Sequence, residues 1–507
     1  MVVSVLDNGE YIKVDNATSL ELSQLRLSFT KKIDNWFIIK RKYPNFNENK
    51  KFINNFNIFP IGLWKELEKV CEKYKFSLSY GKPHNFVDIN FDEIDFRRWV
   101  DEYFSNSDIK PYFYQIDAAI EAFKYKRCTE EISTSGGKTL IAFIIFMYLY
   151  RKGIINKILY ITPSVGLVSQ TSEEFYSYAE KANQKVDFKV SEIYSGASTS
   201  KLNDANITIG TYQSLCKKNP DFFSQFDMVI VDECHHSKNK SISKILIKCI
   251  KATYKIGLSG TIPTDGSYSA FLIQSYLGPV VYTLTSKTLI ENGKATPITV
   301  VQIYMNYLSA ENKKMLYEER LKVNKDGGKL YNLEKQFVRQ DKKRLKYICE
   351  TIAKSNKNSL ILFSDVQNEY GRNVFNYLKD NTDKVVYYID GSTKSSLRDY
   401  YKSQMEQRDD ILIVASIGVF SEGISIKNLY KIFLIETSKS ENIVAQILGR
   451  GMRLFNGKNE CIIFDFVDDF SYGTGKQKYA YLYRHGVERK NIYQKRQFPL
   501  KRINVNL

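Results

Sequence analysis

Two short stretches of this chain have the residue types and order to do chemistry: Ser133-Thr134-Ser135-Gly136-Gly137-Lys138-Thr139 and Val231-Asp232-Glu233-Cys234-His235. In the first, Ser135, Gly136 and Gly137 form a loop whose backbone N–H groups can approach phosphate oxygens. The helix expected after it offers its positive end. Lys138 can reach the outer phosphates of a nucleoside triphosphate, and the Thr139 hydroxyl can ligate Mg2+. Gly-Lys-Thr alone is a weak signal that an ordinary turn also satisfies. The second stretch makes the pair specific, because two acids close the apolar run Met228–Val231, at the strand end where α/β sheets place ligands. Asp232 is assigned to the magnesium shell through water, and Glu233 to orienting and deprotonating the attacking water. His235 is read as coupling nucleotide state to neighbouring motifs, with a satisfied structural histidine as the alternative.

Such a site needs parallel strands to present it. Strands are expected at 157–161, 207–210, 228–231 and 255–258, alternating with helices, as in a sheet covered on both faces. Cys128-Thr129-Glu130-Glu131, ahead of the loop, is polar for a central strand. A second set is expected after Pro297, at 360–363, 385–389, 411–414, 432–435 and 461–464, with 275–300 joining the two sets. Residues 1–105 read as a small accessory α/β domain with candidate DNA-binding character, with strands at 11–14 and 36–39 and a helix over 63–74. Residues 106–290 and 291–470 are the two larger domains, and 471–507 a basic C-terminal tail or helical segment.

The 507 residues carry a net charge of +18, which favours a polyanionic partner. From 476 onward nine Lys/Arg face the single acid Glu488, with Tyr479, Tyr481, Tyr483 and Tyr493 interleaved. That mixture favours contact with nucleic acid, with a C-terminal helix whose tyrosines pack on the preceding domain as the alternative. Lys31–Lys51 is a second basic stretch and 88–108 an acidic one; phosphate contact and mutual neutralisation weigh about evenly. Seven scattered cysteines without a C-x-x-C pair, and four histidines without ligand spacing, argue against a disulfide framework and a structural zinc. The longest apolar run, Leu140–Tyr150, is too short for a bilayer and suits a buried helix. The N-terminus lacks the pattern of a signal peptide, so a soluble cytoplasmic protein is expected, in host cytoplasm if of phage origin.

With both motifs in place, the chain resembles superfamily-2 DExH-box helicases over roughly 110–470. Gln115 resembles the adenine-reading glutamine, and Thr162-Pro163-Ser164 resembles motif Ia. Thr211-Tyr212-Gln213 resembles the next strand-gripping motif, and Ser259-Gly260-Thr261 motif III, with Ser259 and Thr261 implied in coupling. Phe363-Ser364 resembles motif IV, Ser421-Glu422-Gly423-Ile424-Ser425 motif V, and Gln446 through Arg453 motif VI. Within the superfamily the likeness is nearest to the phage UvsW-type recombination helicases, related to the XPB-like group. It extends to Phe59-Pro60-Ile61-Gly62-Leu63 and Ala415-Ser416-Ile417-Gly418. Ser133 stands where relatives usually carry Pro, and Ser425 where many carry Asp.

The resemblance implies two tandem RecA-like parallel-sheet domains and the use of ATP and Mg2+. It implies catalytic roles for Lys138, Asp232, Glu233, Gln446, Arg450 and Arg453, nucleotide contact at Gly423, and nucleic-acid contact at Thr162, Pro163, Ser164, Thr211, Gln213 and Ser416. Arg450 and Arg453 are expected on one side of a helix, neutralising charge on the γ-phosphate. The implied work is remodelling of branched or partly single-stranded DNA: fork regression, junction migration, and R-loop and D-loop unwinding. RNA–DNA hybrids and single-strand-binding or recombination proteins are candidate partners, no membrane is involved, and a monomer or weak oligomer is expected. The rivals are a restriction-system motor subunit, an RNA helicase, and a non-catalytic nucleic-acid binder with a degenerate motor.

Overall fold

An apolar run such as Met228–Val231 carries backbone N–H and C=O groups out of water, and each must find a partner. In the computed structural model, which describes residues 1–6, 9–81, 86–195, 204–238, 240–322, 327–364, 366, 369–421, 426–436, 439–475 and 478–507, those partners come from two seven-stranded parallel sheets. Each sheet lies in its own compact unit, Met1–Leu284 and Thr285–Leu507.

The first unit contains β1 (Val2–Val5), β2 (Tyr11–Asp15), β3 (Thr30–Lys32), β4 (Asn49–Lys51), β5 (Ile58–Pro60), β6 (Ser79–Tyr80), β7 (Arg127–Ile132), β8 (Ile158–Thr162), β9 (Val190–Ile193), β10 (Ile207–Thr211), β11 (Met228–Asp232), β12 (Tyr254–Ser259) and β13 (Val280–Leu284). The large sheet runs β13-β7-β12-β11-β8-β10-β9, and a four-stranded sheet, β5-β2-β1-β6, sits at the N-terminal end of the chain. The helix Lys138–Arg151 is apolar all round and buried from Leu140 to Leu149, packed between helices Phe113–Tyr125 and Val165–Lys181.

Two expectations for this unit need correction. Residues 36–39, read as a strand, lie in the helix Trp36–Lys42. The run links β3 and β4, which pair with each other, and its backbone bonds locally instead, the Tyr43 N–H donating to the Ile39 carbonyl at 2.9 Å. The stretch 275–300 is not simply a joiner: Val280–Leu284 pairs in parallel with β7 as the sheet edge.

The N-terminal sheet shares a core with the large sheet's flanking helix Tyr268–Leu277, since Phe271 packs among Phe29, Phe52 and Phe59. Gly62 allows this approach, because a Cβ there would lie 2.0 Å from the Gln274 carbonyl oxygen. A polar anchor joins the same parts. Glu10 accepts from both terminal nitrogens of Arg127, each at 2.8 Å, and from Lys255 Nζ at 2.8 Å. Burial alone would raise the Glu10 carboxyl, but the Arg127 and Lys255 charges outweigh it and hold it low. Glu10→Ala leaves Lys255, only 1% exposed, without its counter-charge. The expected loss is about 3 kcal/mol in chemical denaturation at neutral pH. The loss should shrink as pH falls below the ordinary glutamate value of about 4.3, where the native carboxylate's advantage disappears.

The second unit contains β14 (Ile298–Asn306), β15 (Ser359–Phe363), β16 (Val385–Ile389), β17 (Ile411–Ser416), β18 (Lys431–Leu434), β19 (Cys461–Asp468) and β20 (Leu500–Asn506), in the order β16-β17-β15-β18-β19-β14-β20. The C-terminal residues are not a free tail. The helix Tyr481–Lys495 packs on β19, and β20 pairs in parallel with β14. Arg489 and the Tyr493 hydroxyl both donate to buried Asp465, and Tyr493 is fully buried. Part of the charge and aromatic content read as nucleic-acid contact therefore closes the core. Tyr481 and Tyr483 also pack against that core, while Tyr479 is 39% exposed. Among the described residues, no helix is long and apolar enough to cross a membrane, and no cluster of three or more His, Cys, Asp or Glu could hold a metal ion.

Candidate functional site

Five sequence-distant motifs reach the first unit's site as carboxyl ends of neighbouring strands. The loop 133–139 follows β7, Ser259-Gly260-Thr261 ends β12, and Asp232-Glu233 ends β11. Thr162-Pro163-Ser164 ends β8, and Thr211 ends β10. The chain order of these motifs is thus rearranged across the sheet, which brings the coupling residues between the loop and the acids.

The loop closes on itself through the Gly136 N–H donating to the Ser133 carbonyl at 2.8 Å. Ser135 and Gly137 both have left-handed backbones, with φ of 76° and 81°. Gly137 opens the helix Lys138–Arg151, and a Cβ there would lie 2.2 Å from Gln115 Nε2. Gln115, 4% exposed, braces the loop: Nε2 donates to the Gly136 carbonyl at 3.1 Å, and Oε1 accepts from the Tyr112 N–H at 2.9 Å.

Lys138 forms an ion pair and hydrogen bond with Glu233, and its ammonium lies 3.8 Å from Asp232. Burial works against the Lys138 charge, but the two carboxylates overcome it and raise the ammonium. Burial and the neighbouring Glu233 charge raise the Asp232 carboxyl against the pull of Lys138. Glu233 goes the other way: Lys138 and His235 overcome its burial and hold it low. Glu233 is also one of few non-glycine residues with left-handed backbone, at φ 48°, a strain of the kind that collects at working sites.

His235 extends this group toward β12. Its Nδ1 lies 2.8 Å from Ser259 Oγ and 3.3 Å from Glu233. Ser259 Oγ lies 3.3 Å from Glu233 Oε2 and accepts from the Thr261 N–H at 3.2 Å. Of the expected coupling residues, His235 and Ser259 are therefore in direct polar contact with the general-base candidate, and Thr261 reaches it through Ser259. Thr139 sits one residue past Lys138, half-buried at the helix start.

The candidate nucleic-acid residues lie farther along the sheet. Thr162 and Thr211 are buried at their strand ends, and their hydroxyls are within hydrogen-bond distance of the Ser164 carbonyl and Ser214. Gln213 Nε2 donates to the Pro163 carbonyl at 3.5 Å, so the two stretches touch. Glu131, noted in the sequence only as part of a polar run and given no role there, accepts from the Ile262 N–H at 3.4 Å and ties the strand before the loop to the residues after Thr261.

In the second unit, Ser416 is buried at the end of β17. Gly423 lies outside the described residues. Gln446 and Arg450 are on the helix Glu441–Gly451, with Gln446 half-buried and Arg450 buried. Arg453 does not share that helix, contrary to expectation. Met452 caps the helix, and Arg453 follows in a turn whose N–H donates to the Arg450 carbonyl at 3.4 Å. Spacing by three is helical only where the helix continues, and Thr296 and Lys458 take the backbone carbonyls that would continue it. Neither residue carries a signal in the sequence, because each acts through a contact with a distant backbone.

Comparison with known proteins agrees with this geometry. The family model described as type III restriction enzyme, res subunit, matches residues 108–264, and the helicase conserved C-terminal domain matches 343–455. The chain is 29% identical to the ATP-dependent DNA helicase uvsW of Enterobacteria phage T4, over 98% of each chain. It is 24% identical to the DNA 3'-5' translocase XPB2 of Sulfurisphaera tokodaii, over 67% of this chain and 78% of that one. The ATP-dependent Type ISP restriction-modification enzyme LlaBIII shares the fold, with a TM-score of 0.56 at 16% identity over 78% of this chain and 31% of that chain. With a phosphate loop, an acidic strand end and a second parallel-sheet unit matched by the helicase C-terminal model, this chain belongs to the superfamily-2 helicases.

Proposed function

We propose that this chain is an ATP-driven DNA helicase or translocase that remodels branched DNA in recombination, repair and replication. The observation that carries the nucleotide chemistry is the Lys138–Glu233–Asp232 group gathered from at and beyond the ends of β7 and β11, in polar contact with Ser259 and His235. The full-length likeness to a phage DNA helicase supports the choice of DNA and of the recombination setting.

The residues suit their tasks. Loop N–H groups and the helix end favour the phosphates. Lys138 neutralises the two acids while no phosphate is bound, and a triphosphate would draw it away. Asp232 and Glu233 would then be two buried carboxylates without a counter-charge, an arrangement that calls for another cation. Asp232, with the Thr139 hydroxyl, fits Mg2+ in that role, which supplies charge neutralisation on the phosphates when bound. Glu233, held ionised, can accept a proton from the attacking water, and its contacts to His235 and Ser259 can carry nucleotide state toward Thr162 and Thr211. Arg450 and Arg453 provide the guanidinium charge suited to the γ-phosphate, and Gln446 accompanies them. Nucleic-acid contact at 162–164, 211–213 and Ser416 falls mainly on phosphates and so favours structure over sequence. The basic stretch Lys31–Lys51 in the N-terminal region adds further phosphate-binding capacity.

The test is ATP hydrolysis by the full chain with forked DNA, four-way junctions, linear duplex and RNA. Branched DNA should accelerate turnover most, and the stimulation should weaken steeply with salt. Turnover indifferent to DNA rejects the motor, and stronger stimulation by RNA replaces the substrate class.

A further inference from the structure

A helix leaves its last carbonyls without intrahelical partners. At the end of Glu441–Gly451, three successive carbonyls are taken by groups from elsewhere in the second unit. The Lys458 ammonium donates to the Gly451 carbonyl at 2.7 Å and to the Arg453 carbonyl at 2.9 Å. The Thr296 N–H donates to the Met452 carbonyl at 2.7 Å, and the Thr296 hydroxyl to the Arg453 carbonyl at 2.9 Å. Lys458 is 6% exposed and Thr296 1%. Lys458 arrives on a tight turn closed by its own N–H donating to the Phe455 carbonyl at 3.1 Å, with Gly457 in the left-handed conformation. Thr296 arrives on the lead-in to β14. The helix end also presses on the sheet, since a Cβ at Gly451 would lie 3.1 Å from Cys461 Sγ.

We infer that Lys458, with Thr296, is a positioning residue for the Arg450–Arg453 pair, fixing the backbone from which both guanidinium groups project. The inference rests on the reading that this pair acts on the triphosphate. A buried ammonium at the negative end of a helix is favourable for the helix dipole, and here it also joins two separate turns of backbone. Holding Arg453 by its carbonyl from two segments restricts the turn that follows Met452, where no further helix does so. Burial, aided by the Arg453 charge, draws the Lys458 ammonium down to about 8. Cys461, its own thiol pushed up to about 12 by burial, is the other titratable group acting on it, and Thr296 brings no charge. The clamp therefore weakens as the solution turns alkaline.

The experiment measures kcat and KM for ATP with forked DNA, across neutral to alkaline pH, for the full chain and for Lys458→Met, Lys458→Arg and Arg453→Ala. ATP affinity and thermal unfolding are read alongside. Lys458→Met should lower kcat by about 10- to 100-fold, the scale set by small misplacements of a reacting group, with ATP affinity retained. Lys458→Arg, which does not deprotonate, should recover most of kcat and lose the alkaline decline of the parent. A folded Lys458→Met with unchanged kcat overturns the inference. If Lys458→Met does not fold, Lys458→Arg decides: an alkaline decline identical to the parent's overturns the inference, and its disappearance supports it. If Arg453→Ala itself keeps kcat, the reading of the arginine pair has failed instead.

Discussion

Lys138→Ala is expected to lower DNA-stimulated ATP turnover by about 10³-fold, the scale of removing one preorganised charge-stabilising group from a dry site. It should also destabilise the ligand-free protein by about 3 kcal/mol, because Asp232 and Glu233 lose their shared buried cation. Those two effects are separable. Glu233→Gln added to Lys138→Ala removes one of the unpaired charges and should restore part of the stability in a melting experiment, while turnover stays lost. The same pairing gives a pH dependence. Glu233 is held below its ordinary range by Lys138 against its burial, so its contribution is present above about pH 4.3 and fades as pH falls through the lower native value. A Lys138→Ala protein that hydrolyses ATP at the parental rate would remove the loop from the mechanism. One that melts at the parental temperature would remove the ion pair from the stability argument.

Glu130→Met should make the protein more stable, by about 2 kcal/mol below about pH 4.3 and by more near neutral pH. Glu130 lies inside β7 and is fully buried, and neither carboxyl oxygen has a hydrogen-bond partner among the described residues. Burial, with the Glu121 charge nearby, pushes its carboxyl well above the ordinary range, so it is held as the neutral acid. An unsatisfied buried polar group costs about 1–3 kcal/mol, and a methionine of similar volume removes that cost. The sign of the pH effect follows from the raised native value. Native stability is fully present below about pH 4.3, and falls as pH rises toward the native value. The slope is about 1.4 kcal/mol per pH unit while only the unfolded state has ionised. The difference in unfolding free energy between parent and Glu130→Gln, measured between pH 5 and 8, isolates this group. A difference that stays flat would show that Glu130 finds a partner or water in solution.

How much of this was legible beforehand depends on the range of each interaction. The strands 207–210, 228–231, 385–389 and 411–414 were readable because continuous apolar runs suit a sheet buried on both faces. The helix after the loop was readable from its uniform apolarity. Trp36–Lys42 was misread because an isolated apolar run has no sequence mark that says whether a strand edge is available to it. β14 and β20 were missed in part because β20, Leu500–Asn506, is an exposed edge strand of mixed polarity, and only its partner makes it a strand. The C-terminal charges read first as nucleic-acid contact because a sequence count cannot show that Arg489 meets Asp465. Glu130 was visible as an oddity, but its lack of a partner was not.

The residue types of this chain alone were enough to suggest the chemistry proposed for the loop and the acids, since glycine, lysine, threonine and adjacent carboxylates have those capacities wherever they stand. Their order also carried the superfamily. Tertiary structure alone decided which motifs are neighbours. The β13-β7-β12-β11-β8-β10-β9 order sets β12, which ends in Ser259, between β7 and β11, although in the chain it follows both. It also decided that Arg453 hangs from a clamped turn beyond its helix. The physical reason is that catalytic capacity belongs to the functional group, whereas adjacency, burial and backbone restraint are made by hydrogen bonds between segments far apart in the chain.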